Sequence, residues 1–480
     1  MLSIDSSAKA AIIFPGDNLV TLSEYLPVAS EVGGGFRSIS YRELNSLTDG
    51  IAREIKKAPN FNHNTVILPA ENSLQSILLI IALWKAGKSP FLVSSAIRQE
   101  ELQMIRDNYK LEVYWDLIKD QHPSLVSKAE VPDFSEADTN PKAAIIRTSG
   151  SEGVPSAASI PFKSITEHLK ICGEYFQFGS EDRWLLSLPI HHVSGLGIIC
   201  RSLFNGLTLV IPKSLKMHDI SDAMTRFGVT HASFVTPQLK EVMDRKISPS
   251  DSMKALLVGG GPANSKLILS AVEAEWPVFK VYGSTETFTF ISVLDVKTRP
   301  DKVDSAGLPM RNVLLETDPL TDELQVSSPS LIEEYYEHNE RTREKFHNGW
   351  FNTGDIARID EEGFLHILMR RTDLIVSGGV NINPSEIEEQ ILKSGYIADV
   401  CVTGRTEERW GEEIVAVIVL KEGIKFEEKN LRSFLAKHLD RMKVPKRFLI
   451  LENLPRTETG KIKRGDIKKM INSDISSKHQ

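Results

Sequence analysis

Val281-Tyr282-Gly283-Ser284-Thr285-Glu286 joins an apolar, β-prone run to a turn glycine, hydroxyls, a carboxylate and an aromatic ring. Layered α/β sheets hold their ligands in the loops beyond the carboxyl ends of strands, and this stretch has the composition of such a loop. The ring can stack on a base, a hydroxyl can meet a phosphate, and the acid can hold a metal ion. These groups could serve the parts of a single ligand.

From Ala143 onward, apolar β-prone runs alternate with helical patterns. Ala143 to Ile146, Trp184 to Leu188, Leu207 to Ile211, Ala255 to Val258 and Val278 to Tyr282 read as strands. Lys163 to Phe178, Gly195 to Asn205 and Asn264 to Ala274 read as helices. The alternation predicts an α/β fold with a largely parallel sheet covered on both faces. Thr148-Ser149-Gly150-Ser151-Glu152-Gly153 then falls, like Gly283-Ser284-Thr285, just after a strand. Its glycines permit a tight path, so that backbone N–H groups and hydroxyls can surround phosphate oxygens. It lacks the Gly-Lys-Ser/Thr ending of the nucleoside-triphosphate P-loop. An ordinary turn is the plainer reading of a Ser/Gly-rich run.

At 480 residues the chain is too long for one simple core, so two or three domains are expected. From about Leu374 the pattern becomes a separate small α+β unit. Asn383-Pro384-Ser385-Glu386 is a helix start, with Asn383 as cap and Pro384 in the first turn. Ile414 to Leu420 reads as a strand, and Leu431, Phe434, Leu435 and Leu439 share one side of a later helix. The polar Arg370-Arg371-Thr372-Asp373 lies between the two regions and reads as a hinge or as a surface turn.

With 41% hydrophobic and 25% charged residues the chain is globular, and its net charge of −7 argues against a general nucleic-acid binder. Lys461, Lys463, Arg464, Lys468 and Lys469 form a local basic patch, read mainly as a solvated helix face. Cys172, Cys200 and Cys401 have no zinc-ligand spacing and suggest no disulfide framework, so a cytoplasmic location is expected. Met1 to Ala10 has neither a basic start nor a long apolar run, so no signal peptide is expected. Ile77 to Trp84 is too short to span a bilayer and reads as a buried helix segment, so no membrane attachment is expected. A homo-oligomer is left open.

Taken in order, Thr148 to Gly153, Tyr282 to Glu286, Asn352-Thr353-Gly354-Asp355, Arg370 with Asp373, and Pro455-Arg456-Thr457-Glu458-Thr459-Gly460-Lys461 form a series. It resembles the adenylate-forming superfamily of acyl- and aryl-CoA synthetases, adenylation domains and luciferases. The resemblance runs from about Tyr41 to Lys463. It implies a large amino-terminal domain of layered sheets and helices, residues 1–370, that holds ATP and an acid. Residues 371–480 would be a small mobile α+β lid that turns about Thr372. It further implies that Tyr282 stacks on adenine opposite Gly259-Gly260-Gly261-Pro262. Thr285 would contact the α-phosphate, while Glu286, with Thr148, would hold Mg²⁺. Thr148, Ser149, Gly150, Ser151 and Gly153 would line the phosphates. Asp355, helped by Arg370, would take the ribose hydroxyls, and Gly283 would border the acid. Lys461 would reach the carboxylate and the α-phosphate, where a cation stabilises charge developing in the transition state.

The sequence departs from the family pattern in the phosphate loop, where Ser156 replaces the usual lysine and Glu152 a common threonine. Each lost unit of positive charge is worth on the order of a few kcal/mol toward a triphosphate at partly screened separations. At the hinge, Thr372 stands where an aspartate is frequent.

The acid is read from Leu188-Pro189-Ile190-His191-His192-Val193-Ser194-Gly195-Leu196-Gly197 and from Arg201 beyond it. His192 matches the family position between the acyl pocket and the thiol tunnel of coenzyme A. Arg201 lies in an otherwise apolar run, and burying an unpaired guanidinium is costly, so it should reach solvent or meet an anion. Ser187 to Arg201 is similar to the o-succinylbenzoate–CoA ligase subfamily of menaquinone biosynthesis. There the succinyl carboxylate is activated and the benzoate carboxylate is recognised remotely. Arg201 would recognise that second carboxylate of 2-succinylbenzoate, or else form a structural salt bridge. A CoA ligase for another aryl or medium-chain acid and a non-catalytic adenylate-binding protein are the alternatives.

Overall fold

The structure is a computed structural model that describes residues 9–16, 30–58, 63–114, 142–148, 156–377, 380–407, 411–457 and 460–473. The described residues form two compact units. Those up to Thr148, Ser156–Leu314 and Ser327–Phe351 make the first; Leu315–Val326 and those from Asn352 onward make the second.

The first unit is built on a ten-stranded sheet. Val278–Tyr282, Ala255–Gly259, His231–Val235, Arg183–Leu185, Thr208–Val210 and Ala10–Pro15 lie side by side and parallel. Antiparallel strands finish both edges, Ser292–Asp295 with Leu308–Pro309 on one and Phe36–Ser40 with Ser30–Gly33 on the other. Parallel strands are covered on both faces and so read as continuous apolar runs. Ala255 to Val258 and Thr208 to Val210 are buried throughout, as that requires. A second, five-stranded sheet joins Thr65–Ala70, Ser89–Ser94, Lys142–Arg147, Ala157–Pro161 and Glu334–Tyr335. The apolar Ile77 to Trp84 lies within the helix Leu74–Lys85, where every one of its residues is buried.

Several boundaries differ from the sequence reading. The strand expected to reach Leu188 ends at Leu185. Beyond it, the Asn72 side-chain amide donates to the carbonyls of Leu186 and Leu188, and Gln238 donates to that of Ser187. These acceptors are thereby satisfied outside any ladder. The helix expected to reach Phe178 is Phe162–Phe176, closed by Gln177 in the left-handed region at φ 50°. His231–Val235, a central strand, was not among the expected ones.

In the second unit, Asp355 to Ile359 of one strand pair antiparallel with Leu365–Arg370. A further sheet orders Val380–Ile382, Ile375–Ser377, Gly411–Leu420 and Ile397–Glu407, with Arg447–Ile450 parallel to Gly411–Leu420. The alternation of side chains sorts two cores. Val400, Val402, Ile414, Ala416 and Ile418 pack with Ile387 and Ile391 of the helix Pro384–Lys393 and with Leu431 and Leu435 of the helix Glu428–Leu435. Cys401, Val415 and Val417 pack with Ile467 and Ile471 of the helix Arg464–Ser473. Asn383 caps its helix by accepting from Ser385 N–H, with Pro384 in the first turn, as the sequence predicts. Glu386 pairs with Lys443 at 2.8 Å.

Candidate active site

The parallel neighbours Ala255–Gly259 and Val278–Tyr282 deliver their carboxyl-end loops side by side. A Cβ at Gly259 would lie 2.8 Å from the Val281 carbonyl oxygen, so the approach of the two loops needs glycine there. Gly260 has φ +80°, and the Thr236 hydroxyl donates to the Pro262 carbonyl at 3.1 Å. Gly260, Gly261 and Pro262 are exposed, while Tyr282 to Glu286 are half-buried. An aromatic residue ending the strand beside the one that runs into an exposed glycine turn is a combination that suits a flat base.

The loop after Tyr282 is a tight knot. A Cβ on Gly283 would stand 1.9 Å from the Thr289 carbonyl oxygen, which excludes any side chain there. The buried Thr287 hydroxyl accepts from Ser284 N–H at 2.9 Å and lies 3.0 Å from the Thr289 carbonyl. Thr289 itself has φ 80°, a region that a β-branched residue adopts only under strain of about 1–3 kcal/mol. Glu286 is fixed twice: its carbonyl accepts from Ile332 N–H at 2.8 Å, and its Oε1 accepts from the Tyr335 hydroxyl at 2.8 Å. Tyr335 is buried, and both burial and the Glu286 charge push its phenol far up. The phenol is therefore always a donor to Glu286. Among the described residues no three or more His, Cys, Asp or Glu side chains gather so as to hold a metal ion. A single fixed carboxylate suits Mg²⁺, which is commonly held by one or two carboxylates together with substrate phosphates.

Arg201 lies in the helix Val193–Phe204 and is only 2% exposed. Neither solvent nor an ion pair satisfies it, since no described carboxylate reaches its guanidinium. Its NH1 donates to Thr289 Oγ1 at 3.3 Å and lies 3.2 Å from His168 Nε2, and its Nε has no partner among the described residues. The guanidinium stacks over Trp184 at 4.8 Å and Phe290 at 5.2 Å. Stacking contributes about 2 kcal/mol for a desolvated cation. Removing the cation from water costs several kcal/mol, so the balance is open without an anion. The adjacent thiols of Cys172 and Cys200 are pushed up to about 12 by burial and supply no negative charge at neutral pH.

His191 and His192 sit half-buried in the loop before that helix, with ring centroids 4.5 Å apart. His192 N–H donates to the Pro189 carbonyl at 3.1 Å, and Ile190 N–H donates to Asn72 Oδ1 at 3.1 Å. A Cβ on Gly195 would lie 2.2 Å from the Pro189 oxygen, so the glycine lets the helix start press on this loop. Thr148 follows the strand Lys142–Arg147, with its N–H and hydroxyl both directed to the Ser156 carbonyl, at 2.8 and 3.1 Å. Ser149, Gly150, Ser151, Glu152 and Gly153 lie outside the described residues. Ser156, at the position of the missing lysine, is buried.

In the second unit, Asp355 and Arg370 are register partners on adjacent strands, and their side chains meet at 2.7 Å. Arg370 NH1 also donates to the Thr353 carbonyl at 3.2 Å. Thr372 occupies the 3-10 turn Arg371–Asp373, and both its neighbours are anchored. Arg371 pairs with Glu323 at 2.7 Å, and Asp373 with Arg464 at 3.2 Å. Arg464 also binds Glu388 at 2.6 Å, and its side chain is 17% exposed, so it does not belong to the solvated face expected of the basic patch. Lys468 likewise pairs with Glu412 at 2.7 Å. Lys461 is exposed; Thr457 N–H donates to the Lys461 carbonyl at 2.8 Å, and Lys461 N–H to the Thr457 hydroxyl at 3.1 Å.

Tyr335, His168, Thr289 and Asn72 were not singled out by the sequence. The chain belongs to the AMP-binding enzyme family. Residues 23–336 match the pattern of AMP-binding enzymes and residues 386–461 that of the AMP-binding enzyme C-terminal domain. The chain is similar to a 2-succinylbenzoate–CoA ligase of Bacillus cereus, 30% identical over 462 residues that span 90% of this chain and 94% of the relative. It also resembles o-succinylbenzoate CoA synthetase of Bacillus subtilis in complex with the acyl-adenylate intermediate. That match has a TM-score of 0.81 and 25% identity, covering 95% of this chain and 98% of the other. The same synthetase with ATP and magnesium ion matches with a TM-score of 0.79 and 25% identity, over 90% and 94% of the two chains. No helix among the described residues is long and apolar enough to cross a membrane.

Proposed function

We propose that the chain is an ATP-dependent acid–CoA ligase that forms an acyl-adenylate and then a thioester, and that its acid is 2-succinylbenzoate. The similarity to 2-succinylbenzoate–CoA ligases supports the reaction. Arg201 carries the choice of acid, because its buried charge has no carboxylate among the described residues. A substrate with a second carboxylate supplies the missing anion, directly or through water.

In the first step a carboxylate oxygen of the acid attacks the α-phosphorus of ATP. The bond to the bridging oxygen breaks, and pyrophosphate leaves with the electron pair. In this reading Tyr282 stacks on adenine beside Gly260, Gly261 and Pro262, and Thr285 binds the α-phosphate. Asp355 accepts from the ribose hydroxyls, and Arg370 holds Asp355. Thr148 and the loop of Ser149, Gly150, Ser151 and Gly153 bind the phosphates. Glu286, held by Tyr335, and Thr148 are the residues for Mg²⁺, which when bound neutralises charge on the departing pyrophosphate. Lys461 stabilises charge on the reacting carboxylate and α-phosphate.

In the second step the sulfur of coenzyme A bonds to the acyl carbon. The acyl–phosphate oxygen bond breaks, AMP leaves, and the thiol proton passes to solvent. His192 separates the acyl pocket from the thiol path, and Gly283 borders the acid. Residues 371–480 act as a lid that turns at Thr372 between the steps, so that one site serves both. A cytoplasmic location belongs to the same reading, supported by three free, buried cysteines.

Thioester formation with ATP, CoA and 2-succinylbenzoate, run beside benzoate and octanoate, tests the proposal. A clear preference for 2-succinylbenzoate is expected, and a preference for either monocarboxylate would sink the choice of acid. Failure of ATP–pyrophosphate exchange with every acid would sink the ligase itself.

A further inference from the structure

His168 comes from the helix Phe162–Phe176 and is fully enclosed. Three groups converge on its Nε2: Thr289 Oγ1 at 2.8 Å, Cys172 Sγ at 3.1 Å and Arg201 NH1 at 3.2 Å. A guanidinium nitrogen can only donate, so Nε2 must present its lone pair and the ring proton must sit on Nδ1. The Thr289 hydroxyl accepts from Arg201 and donates to His168, so that the Nε2 lone pair is shared by the threonine hydroxyl and the guanidinium. Burial and the Arg201 charge both hold the imidazole well below its usual range, so it stays neutral.

The surroundings fix these groups in place. The His168 ring meets Phe288 and Phe290 edge-on, with centroids 5.5 and 5.0 Å away. Thr289 keeps its hydroxyl there although its backbone is in the left-handed region, where strain is seldom retained without a functional return. A Cβ on Gly197 would come within 2.5 Å of the Thr289 methyl and 3.0 Å of Arg201 NH1. The contacts engage NH1, whereas Arg201 Nε has no partner among the described residues.

We propose that His168 and Thr289 form a neutral acceptor cradle that orients the Arg201 guanidinium to receive the second carboxylate of a dicarboxylic acid substrate. This rests on the reading of Arg201 given above. His168 and Thr289 are positioning residues, since they act through Arg201. A carboxylate in place of either would pair with Arg201 permanently and cancel its charge. Neutral acceptors fix its geometry and leave the charge available.

The test compares KM and kcat for 2-succinylbenzoate and for a monocarboxylic acid in the full-length protein. His168→Leu and the nearly isosteric Thr289→Val should each raise KM for 2-succinylbenzoate about tenfold, the usual scale for a hydrogen bond to a charged group. The monocarboxylate KM and both kcat values should stay near those of the wild type. His168→Gln and Thr289→Ser keep an acceptor and should recover most of the loss. If His168→Leu fails to fold, the Thr289→Val and Thr289→Ser pair decides. Equal changes for both acids, or no rescue by Ser, would overturn the cradle. Arg201→Ala separates the two levels. A selective KM effect there without one at His168 or Thr289 removes the cradle alone, whereas no selective effect at Arg201 removes the reading beneath it.

Discussion

The Tyr335 hydroxyl donates to Glu286 Oε1 at 2.8 Å, across 49 positions of sequence, so the acid of the opening loop is oriented by a buried phenol. Tyr335 is 1% exposed, and the Arg341 guanidinium lies 5.2 Å from its ring centroid. Tyr335→Phe removes the donor and keeps the packing. A lost hydrogen bond to a charged group is worth about 1.5–3 kcal/mol, so the Mg²⁺ concentration for half-maximal adenylation should rise roughly tenfold or more. A titration of ATP–pyrophosphate exchange against Mg²⁺ measures this, and an unchanged midpoint would detach Tyr335 from the metal.

Gly197→Ala should act against the ordinary trend. Within an exposed helix, alanine is about 1 kcal/mol better than glycine. Here the new methyl would meet Thr289 Cγ2 at 2.5 Å and Arg201 NH1 at 3.0 Å. Overpacking of this kind costs about 1–3 kcal/mol, so urea denaturation should show a loss of stability. A gain would mean that the helix shifts freely away from Thr289.

His231 gives stability a defined pH dependence. Burial, with smaller contributions from Lys254 and Arg201 against Asp182, lowers it from 6.5 to about 4. Below pH 6.5 the unfolded chain takes up a proton that the folded one refuses until about pH 4, so stability falls as pH drops through that window. The loss should reach about 2 kcal/mol by pH 5, with His168 acting in the same direction. Urea midpoints between pH 7 and 5 should fall more steeply for the wild type than for His231→Gln. Parallel slopes would assign the effect to other groups.

Lys461→Ala should separate the two half-reactions. Adenylation should fall by about 100-fold or more with the loss of a cation at the reacting oxygens. Thioester formation from supplied acyl-adenylate should persist, because no role in that step is assigned to Lys461. Pyrophosphate exchange and thiol release report the two steps separately, and an equal fall in both would contradict the assignment.

What could be read from sequence was whatever a local pattern encodes. Ala255–Gly259 was found but for its last residue because a buried parallel strand is a continuous apolar run. The Asn383 cap was found because capping uses residues next to one another. His231–Val235 escaped because a histidine and a serine interrupt its run, although both are buried. Asp355 and Arg370 were known only as members of a motif series, and the strand register is what makes them a pair. Tyr335 and His168 carried no signal at all. Their partners Glu286 and Thr289 lie 49 and 121 positions away, beyond any periodicity a short window can detect.

Thr372 stands between two fastened charges, Arg371 on Glu323 and Asp373 on Arg464. Arg464 opens the helix that begins three residues after Lys461 and is also bound to Glu388. If Thr372 is the pivot proposed above, a twist there would be handed on as by a crank, from Asp373 through one guanidinium to the helix that follows Lys461. Under that proposal, shortening Arg464 to Ala would leave the pivot free to turn but uncouple the lysine from it, so that the order of the two proposed steps would suffer before either step itself.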